Sequence, residues 1–85
     1  MPSAIWHAGK DRSYIRMIYN DDGKKQADLD AELTVKHFLE NGIKARVSTK
    51  DEDKIKHFDI VVDGKKIDLK RFNDFYCEIT KLQNP

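Results

Sequence analysis

The stretch His57–Phe72, HFDIVVDGKKIDLKRF, constrains this chain more than any other. Two runs rich in β-forming residues flank Asp63-Gly64, a dipeptide suited to a tight hairpin turn because both central residues tolerate positive φ. Side chains alternate faces along a strand, so Phe58, Ile60 and Val62 share one face. On the expected return strand Ile67 and Leu69 lie together, and Asp68, Lys70 and Phe72 lie opposite them. A two-residue loop sets Asp59 across from Asp68. A four-residue loop, Asp63–Lys66, sets Asp59 across from Lys70 instead. The two registers differ by an even step, so both gather Asp59, Asp68 and Lys70 on one face. Two carboxylates about 5 Å apart repel by roughly 3 kcal/mol at an effective dielectric near 20. A divalent cation would neutralise such a pair.

Asp59 followed by Asp68-Leu69-Lys70 on a hairpin resembles the PD-(D/E)xK nuclease superfamily. The resemblance implies that Asp59 and Asp68 bind Mg²⁺ or Mn²⁺ and that Lys70 positions or activates the attacking water. It also implies a helix before the first strand, often with a glutamate completing the metal site. Glu32, in the expected helix Gln26–Asn41, holds that place. Phe58 stands where the family pattern has proline.

The fold expected from the chain in order is α+β and a single domain over residues 1–85, with 1–10 a loose tail unless Ile5 and Trp6 dock on the domain. Arg12–Tyr19, RSYIRMIY, reads as a strand, and Asn20–Gly23 as a turn. Gln26–Asn41 is an amphipathic helix with Ala31, Val35, Phe38 and Leu39 on one stripe, closed by Asn41-Gly42. Glu32 flanks that stripe. Ile43–Thr49 alternates as a strand, and Lys50–Lys56 is a charged loop. Beyond the hairpin, Asn73 or Asp74 caps a helix carrying Phe75, Tyr76, Ile79 and Leu82, or else Phe75, Cys77 and Ile79 line a strand. The whole is an N-terminal strand, a helix, a three-stranded, mainly antiparallel sheet with the Asp-Gly hairpin, and a C-terminal helix. By the same resemblance this order matches a shortened restriction-endonuclease-like core, whose last strand is missing unless Arg12–Tyr19 completes the sheet.

Charge bounds the partners. Sixteen basic against fifteen acidic residues give +1 overall, so any binding of nucleic acid depends on a local patch. Between Gly42 and Arg71, nine basic and six acidic residues leave +3. Lys44, Arg46, Lys66 and Arg71 are the expected phosphate contacts, and His57 is a further candidate. A single cysteine, Cys77, excludes an internal disulfide and a cysteine-rich zinc site. No apolar run approaches a membrane span, and a cytoplasmic protein is expected.

Two functions fit these features. One is a metal-dependent nuclease hydrolysing phosphodiester bonds of DNA or RNA, with Asp59, Asp68 and Lys70 at its centre. The other is a non-catalytic α+β module of phage or plasmid type that binds a protein partner or nucleic acid. A homodimer or a bound partner is expected in either case, because the core is small and a sheet edge is left open.

Overall fold

The computed structural model describes residues 4–83, with side chains placed from 5 to 80. Four strands and two α-helices follow the order β1 (Ala4–Ala8), β2 (Tyr14–Asn20), α1 (Lys24–Glu40), β3 (Ala45–Asp51), β4 (Ile55–Val62) and α2 (Leu69–Gln83), with a short 3-10 turn, Asp21–Gly23, leading into α1. The sheet runs β1-β2-β4-β3 and every neighbouring pair is antiparallel. β2 and β3 therefore point the same way, and α1 connects them across β4.

Alternation builds the sheet. Ile15, Met17 and Tyr19 of β2 and Phe58, Ile60 and Val62 of β4 are buried on one face. The core they form with Ala27, Ala31 and Phe38 of α1 and with Ile67 and Phe72 lies between sheet and helices. Phe72 joins the layers: its ring lies 6.1 Å from Phe38 and 4.9 Å from Trp6 of β1. Both helices thus cover the same face, and among the described residues no helix covers the other.

Helix α1 ends as the Asn41-Gly42 signal requires. Gly42 has φ 75°, its N–H donates to Leu39, and the Ile43 N–H donates to the Phe38 carbonyl, which satisfies the last helical carbonyls. At the other end the Lys24 ammonium donates to the carbonyls of Glu52 and Asp53, tying the helix start to the β3–β4 turn.

The expected return strand is absent. The chain does turn at Asp63-Gly64, with Gly64 at φ 69°, but residues 65–68 are irregular and Leu69 begins α2. Neither edge of β4 is free to receive a return strand, because β2 occupies one and β3 the other. The segment also carries Leu69, Phe72, Phe75 and Ile79 at helical spacing, and Phe72 and Ile79 are buried. The strand expected at Arg12–Tyr19 is β2, and it completes the sheet against β4. Residues 4–8, expected as part of a loose tail, form edge strand β1; residues 1–3 lie outside the described residues. Leu82, expected on the buried face of the last helix, lies beyond the described side chains. Among the described residues no helix is long and apolar enough to cross a membrane.

Candidate functional site

The residues expected to form one metal-binding face are dispersed. Asp59 lies mid-strand on β4, on the face without helices. Both its oxygens are engaged by Arg16 of β2, with Nε donating at 2.6 Å and Nη2 at 2.8 Å. Asp68 stands just before α2 and caps it: Oδ1 accepts the Arg71 N–H at 3.1 Å, and its carbonyl accepts the Phe72 N–H. Lys70 is exposed in the first turn of that helix. Glu32 lies with Val47 and Thr49 on the helix-covered side, so the sheet separates it from Asp59. Among the described residues no group of three or more His, Cys, Asp or Glu could hold a metal ion. The residues expected to bind Mg²⁺ or Mn²⁺ do not fit that ion here: one carboxylate is taken by a guanidinium, one by a helix start, and one faces the wrong way.

The four expected phosphate contacts fall into two pairs. Lys44 and Arg46 stand together at the start of β3, beside Asp63. Lys66 and Arg71 line a cavity of about 90 Å³ between the end of α1 and the start of α2, where Arg71 donates to Asn41 at 3.2 Å.

What the fold does assemble is the open sheet face. Strand register places His7, Arg16, Asp59 and Ser48 in one cross-strand row, and Ile5, Ile18, His57 and Lys50 in the next. Tyr14, Val61 and Arg46 form a third. Five basic side chains, His7, Arg16, Arg46, Lys50 and His57, therefore share the face with one strand carboxylate, Asp59. The Arg16 hydrogen bonds hold the Asp59 carboxyl below the usual carboxylate range, and His57 and His7 contribute in the same direction. Ionised and paired, Asp59 cancels Arg16; Lys50 is bridged to Glu52 at 3.3 Å, and Arg46 is left on the face without an ion pair among the described residues.

The face also carries flat apolar surface. Ile18 and Val61 are half-buried between the charged side chains, and Ile5 is 64% exposed. Tyr14 lies so closely against Gly9 that a Cβ there would collide with its ring. Gly9 thus provides the space in which the ring sits.

Of these residues, sequence reasoning singles out Asp59, Arg46 and His57, Asp59 in a different role. It misses Arg16, Lys50, His7 and Tyr14. The period-two pattern of Tyr14–Asn20 could have separated Tyr14, Arg16 and Ile18 from the buried Ile15, Met17 and Tyr19. In comparison with known proteins, the chain matches no family model, no curated protein and no solved structure.

Proposed function

We propose that this chain is a non-catalytic module that binds single-stranded nucleic acid on its open sheet face. The observation that carries this reading is the composition of that face: basic side chains from all four strands, an aromatic ring and aliphatic patches, with the single strand carboxylate already paired to Arg16. Strands about 4.8 Å apart make a four-stranded face roughly 14 Å across, a span of a few nucleotides. Arg46 and Lys50 on β3 attract the phosphates, which position the strand without reading its sequence. Tyr14, Ile18 and Val61 offer surfaces on which unpaired bases stack or pack. A duplex keeps its bases stacked inside and gains from this face only the charge.

The test is fluorescence anisotropy with labelled single strands of DNA and RNA, each about 12 nucleotides long, and a duplex of equal length. Single strands should bind more tightly, with affinity falling as salt rises because counterions are released from the phosphates. Arg46→Glu with Lys50→Glu should weaken binding at least about tenfold, since two attractive contacts become repulsive. Absence of single-strand binding at low salt, or indifference to the double substitution, would refute the reading.

A further inference from the structure

On the opposite side of the molecule α1 overhangs the outer edge of the sheet. β3 is the last strand there, paired only with β4 among the described residues, so its other backbone edge is open. Between that edge and α1 runs a groove of about 690 Å³ whose walls include Ala31, Glu32, Val35 and Leu39 of the helix and Val47 and Thr49 of the strand. Leu39 is 64% exposed and Val47 47% exposed, large values for residues that face each other across a cleft. Exposed apolar surface of this kind, beside unpaired backbone donors and acceptors, is the arrangement that accepts an added strand.

The charges select the occupant. Asp28, at one end of the groove, is held by Lys56 at 3.1 Å. Glu32 has no ion pair or hydrogen bond among the described residues, and it stands at the groove between Asp28 and Lys36. We propose that the groove takes an extended segment of a partner protein that pairs with β3. Alternate side chains of that segment face the groove: all but one are apolar and pack on Val35, Leu39 and Val47, and the remaining one is Lys or Arg opposite Glu32. The seven residues of β3 set its length at about five to seven residues. Nucleic acid does not suit a groove with apolar walls whose lining carries two carboxylates, Asp28 and Glu32, against one lysine, Lys36. A second copy suits it poorly too: an antiparallel β3–β3 pair would bring two Arg46 and two Lys50 together on the adjoining open faces, where like charges repel.

The proposal is independent of the nucleic-acid reading, because the groove and the open face lie on opposite sides of the sheet. Its test is selection on the full chain from a random heptapeptide library displayed on phage, followed by NMR titration with the best peptide. Selected sequences should alternate apolar and polar residues and carry a Lys or Arg at one apolar-phase position. The peptide should shift amides of Ala45–Asp51 and of residues 31–39. Glu32→Lys and Leu39→Asp, both at exposed positions, should each weaken binding about tenfold or more while leaving thermal stability and single-strand binding unchanged. Failure to select any peptide, sequences without alternation, shifts confined to other elements, or indifference to both variants would overturn it. So would concentration-dependent β3 shifts without peptide together with a dimer by sedimentation, which would assign the edge to a second copy.

Discussion

Arg16 grips both oxygens of Asp59 across the β2–β4 ladder, at 2.6 and 2.8 Å. This one pair decides what the central residue of the expected metal site can do. A carboxylate whose two oxygens already accept charged N–H groups has an ionised form stabilised by the guanidinium, and a cation would have to displace that partner.

Asp59→Asn therefore separates the two readings of the chain. A nuclease would lose turnover. A binding face would gain, because Arg16 is released to meet a phosphate: single-strand affinity should rise several-fold, and the slope of log affinity against log salt should steepen by about 0.7 for one added contact. The pair is only partly buried, so the stability lost should be no more than about 1 kcal/mol. Its contribution has a defined pH window. The folded carboxyl titrates below its unfolded value, so the stabilisation is present above about pH 4 and is lost as pH falls through the lower, folded value. Anisotropy titrations and denaturant melts of the variant check both parts.

Asp68 and Lys70 should behave as helix-start residues. Asp68→Ala removes the acceptor for the Arg71 N–H and should cost about 1 kcal/mol, whereas Asp68→Asn keeps most of the cap. Lys70→Ala, on an exposed turn, should change stability by less than about 0.5 kcal/mol. The wild-type chain should not cleave single-stranded or double-stranded nucleic acid with Mg²⁺ or Mn²⁺. Cleavage that EDTA stops and Asp68→Ala abolishes would restore the nuclease reading.

His37 brings a second pH effect. Its ring stacks on Phe75 with centroids 4.2 Å apart, and burial pushes the imidazole pKa below the ordinary value, with Arg71 adding to the shift and Glu40 opposing it. A lowered folded pKa means that the unfolded chain binds the proton more readily. Stability contributed by the neutral ring is complete above the unfolded value, near about pH 6.5, and falls as pH drops below it. Melting temperatures on either side of that value, at about pH 7.5 and about pH 5.5, should therefore differ, and His37→Gln should shrink the difference. An unchanged difference would place the effect elsewhere.

The parts of this fold legible in the sequence are those governed by neighbours in the chain. Asn41-Gly42 ends α1 as expected, and Asp63-Gly64 turns the chain. Structure and expectation part company just beyond that turn. Ile67 and Leu69 fit a strand by twos, and Leu69, Phe72, Phe75 and Ile79 fit a helix by threes and fours, so local periodicity leaves Ile67–Phe72 ambiguous. The choice is made elsewhere, where β2 takes the edge of β4 that a return strand would have needed. The candidate site has the same origin. Arg16 and Asp59 are 43 residues apart, and their pairing rests on a register that no short motif encodes.

A buried acid ties α1 to the sheet. Tyr19 of β2 donates its hydroxyl proton to Asp30 of α1 at 2.6 Å, with Asp30 fully buried and Tyr19 1% exposed. Burial and this bond raise the Tyr19 pKa, so the phenol stays protonated and remains a donor. Asp30 also accepts from the Gln26 amide at 3.4 Å, and its carbonyl accepts the Thr34 hydroxyl at 2.6 Å. Because a carboxylate is costly to bury unless its hydrogen bonds are made, the contact holds helix to sheet by the penalty for breaking it. Tyr19→Phe keeps the ring packed on Phe58, 5.8 Å away, but removes the donor; it should destabilise by about 1–3 kcal/mol. Asp30→Asn on its own leaves an acceptor for the phenol and should cost less. In the Tyr19→Phe background Asp30→Leu should recover part of the loss, since removing both polar partners removes the unmet bond. Chemical denaturation of the three variants gives the comparison. If Tyr19→Phe alone were neutral, the hydroxyl–carboxylate bond would not be what fixes α1 on the sheet.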